Sequence, residues 1–256
     1  VGRDDFKAEF VLRFAPPPAR DGDMPLPGPY PRAWGPEDLA LVQAHMQRIW
    51  THRFTKQTVE DAMVAEAARH RFHPVEDWLA SLVWDGVPRV DGWLHRGFGC
   101  PGDDYHAAAG AKMLIASVKR IRQPGVKFDH TPVFEGGQGL GKSTALRALY
   151  GDDWFSDSLP EDLASKDAAM GLLGVWCLEL AELQQLIRAE AETVKAFMSR
   201  QVDRFRPPYG KAYVNRPRQC ILVGTTNAEE WLSDTTGNRR FWPLACRHAD
   251  VPWIRE

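Results

Sequence analysis

Gly136–Gly137–Gln138–Gly139–Leu140–Gly141–Lys142–Ser143–Thr144 is the stretch that decides how the rest of the chain is read. It fits the pattern GxxxxGK[ST] in full. Glycines let backbone amides turn toward an anion with no side chain in the way. A helix that opens at Gly141 adds free amides and the positive end of its dipole. Lys142 supplies a point charge for terminal phosphates. The Ser143 hydroxyl is a magnesium ligand in such a loop, with Thr144 beside it as a second hydroxyl. The flanks agree with this reading: Thr131–Glu135 predicts a strand and Ser143–Tyr150 a helix. The competing reading is a glycine-rich turn with an accidental lysine. Chance gives the full pattern in roughly 1 of 100 chains of this length.

Working outward, residues 131–244 alternate short apolar runs with helical segments. The runs are Val133–Phe134, Val175–Leu178, Cys220–Gly224 and Phe241–Leu244, the grammar of an α/β sheet. The second run ends at Glu179, with Glu182 three positions on. A phosphate loop needs a carboxylate at the end of a neighbouring strand, to hold magnesium and polarise water. The spacing of the two glutamates predicts one side of a helical turn and leaves open which is metal-side and which is base. A strand that merely ends in solvated charge is the alternative. The third run ends in Gly224–Thr225–Thr226–Asn227, where the Asn227 amide can orient an attacking water. Capping of the next turn is the competing reading. Arg239 and Arg240 follow twelve and thirteen residues later. A guanidinium reaching the outermost phosphate stabilises transition-state charge; a surface ion pair is the bland alternative.

Between the acidic run and the polar tip lies a basic stretch. From Lys195 to Arg218 there are seven basic residues against one acid, Asp203. Pro207–Pro208–Tyr209–Gly210–Lys211 predicts a turn between two short strands. A charged loop with an aromatic tip can track a phosphate backbone and stack on a base. The candidates are Arg204, Arg206, Tyr209 and Lys211. Pairing of these arginines with the glutamates or with bound nucleotide is an equal alternative.

Upstream, Pro16–Pro17–Pro18 and five more prolines to Pro36 deny residues 1–36 helix and central strand, which predicts a tail or an extended wrap. Residues 37–130 predict a helical domain. One helix follows Pro36, a second starts at Thr58, a short third follows Pro74, and the longest runs from Tyr105 to Arg122. On this last helix Ala108, Lys112, Ile115, Lys119 and Arg122 share one flank, and Met113, Ala116 and Ile121 another. Residues 131–256 then form the phosphate-loop domain.

The whole chain has 256 residues, 44% hydrophobic and 26% charged, with a net charge of −2. That length buries a real core and excludes bulk disorder. The near-neutral balance excludes a protein that coats nucleic acid over its whole surface, so any such contact is local. Cys100, Cys177, Cys220 and Cys246 lie far apart with no CxxC pair, which predicts buried thiols in a reducing compartment. No apolar stretch approaches the roughly twenty residues of a membrane span. No leader pattern is present, and a cytoplasmic location is expected. The first residue is Val1, so a piece of a longer protein is expected.

Taken together, the phosphate loop, the strand with Glu179 and Glu182, "KAFMSRQVDRFRPPYG" (195–210), "GTTN" (224–227) and "DTTGNRRFWP" (234–243) resemble the virulence-associated E (VapE-like) family. "HPVEDWLASLVWDGVPRVDGWL" and "PGVKFDHTPVFEGGQGLGKST" extend the resemblance over roughly residues 70–244. The family is similar to superfamily 3 helicases and D5-type primase-helicases. The resemblance implies a three-layer α/β, AAA+-like core behind a helical domain. It also implies ATP and Mg2+ as cofactors, DNA as partner, and a homo-oligomeric ring serving replication of a phage or mobile element. A primase or nuclease partner is implied on the flanks. Residue by residue it implies Lys142 and Ser143 for phosphate and magnesium, Glu179 for the acidic strand, Asn227 as sensor, and Arg239 or Arg240 as a finger from a neighbouring subunit. The stretch Arg206–Lys211 falls where superfamily 3 enzymes place a DNA-tracking loop. The chain departs from that pattern in using glutamate alone on its acidic strand. Two alternatives stand beside it: a phosphate-loop ATPase that remodels protein or acts as a signalling switch, and a clamp that binds nucleotide without turnover.

Overall fold

A computed structural model describes residues 1–15, 29–159, 162–207, 212–227 and 238–256. The chain divides into two compact units, Val1–Ser81 and Leu82–Glu256. This single division falls at neither 36/37 nor 130/131, the boundaries read from composition.

The first unit is not a tail followed by helices. Strands β1 (Gly2–Asp4), β2 (Glu9–Leu12) and β3 (Arg32–Ala33) join β4 (Arg71–Phe72) in a sheet of order β3-β2-β1-β4. Proline bars the centre of a sheet, but β1 and β2 precede the first proline, Pro16, and β3 falls between Pro31 and Pro36. Helix α1 (Pro36–Trp50) begins with proline in its first turn, and α2 (Lys56–Arg69) follows. The Thr55 hydroxyl accepts from the Thr58 amide, so α2 is capped at Thr55 and starts before Thr58. Leu12, Val59 and Met63 form the core of this unit, with Trp34, Leu39, Val42 and Met46 packed against it. Helix α3 (Pro74–Ser81) closes it.

The second unit opens with α4 (Trp93–Phe98) and α5 (Asp104–Arg122). Asp103 caps α5 by accepting from the His106 amide (2.9 Å). There follow β5 (Thr131–Glu135), α6 (Lys142–Tyr150), β6 (Phe155–Ser156), α7 (Lys166–Met170), β7 (Cys177–Leu180) and α8 (Leu183–Ser199). After them come the hairpin strands β8 (Val202–Phe205) and β9 (Val214–Pro217). Then come β10 (Ile221–Thr226), a 3-10 turn at Asn238–Arg240, β11 (Phe241–Ala245) and α9 (Val251–Arg255). Five strands make one parallel sheet of order β11-β5-β10-β7-β6.

All six residues of β10 are buried. Successive side chains point to opposite faces, so both faces of the sheet's centre are covered. On one face Leu178, Leu180, Leu183, Val194, Phe197, Leu222 and Phe241 share a cluster. Pro243 is tolerated because β11 is an edge strand. Pro132 is tolerated because the β5–β10 register begins one residue later, at Val133. The chain leaves β5 for β6, two strands beyond its neighbour β10, and returns. Open parallel sheets of this kind hold ligands outside the carboxyl ends of their strands. No helix among the described residues is long and apolar enough to cross a membrane.

Candidate functional site

The carboxyl ends of β5, β10 and β7 lie side by side. Thr226 pairs in register with Glu135, and Gly224 with Leu180. The glycine loop leaves β5 at this edge. Gly136 is held so close to the end of β11 that a Cβ would sit 2.5 Å from the Cys246 carbonyl oxygen. Gly139, at φ +81°, takes the left-handed conformation, and a Cβ there would meet nothing within 4 Å. The loop is thus pressed to the sheet at its root and open above its middle. Helix α6 begins at Lys142 behind Gly141 and aims its free amides into that space.

A cleft of about 300 Å³ lies there, lined by Gln138, Gly139, Leu140, Gly141, Lys142, Ser143 and Thr144 on one side. Ala181, Glu182, Thr225, Thr226 and Asn227 line the other. Lys142 is 7% exposed, and its Nζ donates to the carbonyls of Gly136 (2.6 Å) and Gly137 (2.9 Å) and to Asn227 Oδ1 (3.1 Å). Burial lowers the pKa of this ammonium from the ordinary lysine range, against the pull of Cys246 and Glu179. These three partners are neutral oxygens, and among the described residues no carboxylate is hydrogen-bonded to it. An incoming anion exchanges weak partners for strong ones.

Glu179 lies within β7 and not beyond its end, because the strand runs on to Leu180. It is 1% exposed. Its Oε1 accepts from Ser143 Oγ (2.7 Å) and Thr225 Oγ1 (2.6 Å). Its Oε2 is buried with no hydrogen-bond partner among the described residues. A buried carboxylate oxygen left unpaired is costly. A hydrated divalent cation held at Ser143 would satisfy it, so the donor set fits magnesium.

Glu182 does not share a helical turn with Glu179. It sits outside the strand at the N-cap position just before α8, in the left-handed conformation at φ 50°, and it lines the cleft as an exposed side chain. A non-glycine residue held there carries local strain of the kind found at functional sites. Thr225, the second partner of Glu179, had a signal in the sequence only as one of several polar groups at the strand tip.

The loop, Glu179, Glu182 and Asn227 are therefore brought together. Arg239 and Arg240 are not. They precede β11, whose first residue Phe241 pairs with Thr131 at the start of β5, while the loop follows Glu135 at its end. Five residues of strand, roughly 16 Å, separate them from the cleft of their own chain. Arg240 Nε is buried without a hydrogen-bond partner among the described residues.

The basic stretch is a hairpin, with Arg204 opposite Asn215 and Phe205 opposite Val214. Alternation sorts its charges. Asp203 turns inward and takes Arg218, with Nε to Oδ2 at 3.0 Å and Nη2 to Oδ1 at 2.7 Å. Arg218 also donates to the Phe197 carbonyl (2.6 Å), which makes it part of the core. Arg204 and Arg206 are exposed. The Arg204 guanidinium lies 5.1 Å from the ring centre of Tyr213, itself 65% exposed. Tyr213 is thus an aromatic of this face that the sequence reading overlooked. Strand alternation from Arg204 would have found it once the register was known. Tyr209 and Lys211 lie outside the described residues.

The family description "Virulence-associated protein E-like domain" matches residues 79–256. No curated protein matches the chain. Among solved structures, the apo NrS-1 C-terminal region (305–718) is 16% identical, with a TM-score of 0.45 over 67% of this chain and 44% of its own. An A-form apo structure of the same region is 18% identical, with a TM-score of 0.44 over 68% and 42%. The chain spans less than half the length of those solved chains.

Proposed function

The chain belongs to the virulence-associated protein E-like family, and from that premise we propose that it is an ATP-hydrolysing, helicase-like motor that acts on nucleic acid. The observation that carries the reading is the joint placement of Lys142, Ser143, Glu179, Glu182 and Asn227 around one cleft at the carboxyl edge of a parallel sheet. The order β11-β5-β10-β7-β6, with both faces of its centre covered, supports a three-layer, AAA+-like core.

Lys142 and the loop amides hold the outer phosphates of ATP. Ser143 and Glu179 hold magnesium, which neutralises phosphate charge when bound. Glu179 is buried and already occupied by two hydroxyls, so it serves as the metal-side acid. Glu182 is exposed to the cleft and takes the proton of the attacking water. Asn227, tied to Lys142, orients that water. Arg239 and Arg240 lie too far from their own cleft and would serve a neighbouring copy, as in a ring. The exposed hairpin face of Arg204, Arg206 and Tyr213 engages the nucleic acid.

The test is ATP turnover with and without single-stranded DNA, alongside light scattering for mass. Stimulation by DNA and assembly with nucleotide are expected. A Lys142→Ala change should weaken ATP binding by calorimetry about 10- to 100-fold, the loss of charge-assisted hydrogen bonds. Turnover indifferent to DNA would favour a protein-remodelling or signalling switch instead.

A further inference from the structure

On the far side of β11 from the α8 cluster, a second cleft of about 370 Å³ has no part in the site above. Alternation along β11 creates it. Phe241 is buried in the cluster with Leu183 and Phe197, so Trp242 points to the opposite face. There it meets α5, whose exposed Lys112, Ile115 and Lys119 fall on one flank at helical spacing.

The floor is aromatic. The rings of His130 and Trp242 are stacked, 4.5 Å apart and 21° from parallel. Phe128 stands edge-on to Trp242 at 5.8 Å. The rim is basic: Lys112 and Lys119 from the helix and Lys127, 69% exposed, from the connecting segment. No carboxylate lines the cleft among the described residues. Asp129 reaches Lys127 only at 3.9 Å.

The floor is also fixed in advance. Arg120, 2% exposed, donates to the carbonyls of Phe128 (2.8 Å) and Cys220 (2.8 Å), which ties the connecting segment to the sheet. His130 Nδ1 donates to the Arg239 carbonyl (3.2 Å). Ile115 is 59% exposed between its lysines, an apolar group left uncovered beside the rings.

We propose that this cleft is a second contact for single-stranded nucleic acid, in which a base packs on the Trp242–His130 stack and Ile115 while Lys112, Lys119 and Lys127 hold the flanking phosphates. Cationic rim and aromatic floor together match a polyanion whose planar groups are free to stack, which a duplex does not offer. The inference does not depend on the chemistry assigned to Glu179 and Glu182. It adds a binding surface whose lining shares no residue with the nucleotide cleft at the carboxyl edge of the sheet.

The experiment is fluorescence anisotropy of labelled oligo-dT and oligo-U with the whole chain, titrated across salt. Lys112→Gln/Lys119→Gln, both on exposed positions, should weaken binding about tenfold. The same change should lower the slope of log affinity against log salt by about 1.4, the share of two phosphate contacts to a single strand. Trp242→Ala should weaken it by a similar or larger factor through lost stacking. Arg204→Ala/Arg206→Ala on the hairpin runs alongside and should weaken binding by itself. Equal effects on dT and U would mark stacking and phosphate contact as the shared basis. The proposal is overturned if the double lysine variant binds as tightly and with the same salt slope as the parent, even when the hairpin variant loses binding. It is also overturned if that variant changes only the mass seen by light scattering, because the face would then join copies of the chain.

Discussion

Glu179 and Glu182 are three positions apart and meet opposite surroundings. Glu179 sits in the sheet with one oxygen shared by two hydroxyls and the other bare, while Glu182 stands at the mouth of the cleft on a strained backbone. The division of labour proposed above makes them separable. Glu182→Gln should leave ATP affinity near that of the parent and cut turnover by about 10²–10⁴, the usual worth of a positioned base. Glu179→Gln should reduce the gain in ATP affinity that magnesium brings, read by calorimetry with and without the metal. A Glu182→Gln protein that turned over at the parent's rate would end this assignment. Both glutamates were legible in the sequence as candidates. Their roles were not, because spacing along a chain does not tell where a strand stops. Once β7 runs on to Leu180, Glu179 is fixed inside and only Glu182 is left to face the cleft.

At the scale of elements, the hairpin shows how alternation divides one run of charge. Seven basic residues in sequence read as a single surface. In the fold, Arg218 and Asp203 are an interior pair with side-chain exposures of 0% and 4%, while Arg204 and Arg206 remain outside. Asp203→Ala leaves the Arg218 charge buried and unpaired. It should cost about 3–5 kcal/mol of stability in urea unfolding. Arg204→Ala, one residue along the same strand, should cost about 1 kcal/mol or less. Similar losses for the two would contradict the inward and outward sorting. Strands and helices of the second unit were largely readable. Thr131–Glu135 is a strand as the pattern predicts, and Ser143–Tyr150 lies within a helix that starts one residue earlier, at Lys142. The N-terminal stretch was not readable. Its strands are only two to four residues long, too short for alternation to register, and they draw their partner β4 from about seventy positions away.

At the scale of the whole molecule, the parallel sheet sets a distance that no local motif contains. The phosphate loop leaves one end of β5, and Arg239 and Arg240 stand at the other. If the arginines serve a neighbour's nucleotide, two inactive chains should repair each other. Glu182→Gln keeps the arginines, and Arg239→Ala/Arg240→Ala keeps the glutamate. Alone, the first should lose about 10²–10⁴-fold in turnover and the second about 10³–10⁵-fold. An equimolar mixture should recover a substantial fraction of the parent rate at the mixed interfaces. A mixture as inactive as its components would mean that the arginines do not act between copies.

The phosphate loop, the acidic run, the polar strand tip and the α/β plan were legible before any fold was in view. Each of these is written in neighbouring residues, through glycine's freedom, helix dipoles and the hydrophobic period of strand and helix. Only the tertiary structure decided which glutamate faces the cleft, which arginine is consumed by the core, and that Lys112 and Lys119 look onto Trp242. Those facts depend on the order and register of strands, which bring together residues more than a hundred positions apart and are set by burial over the whole sheet rather than by any one segment.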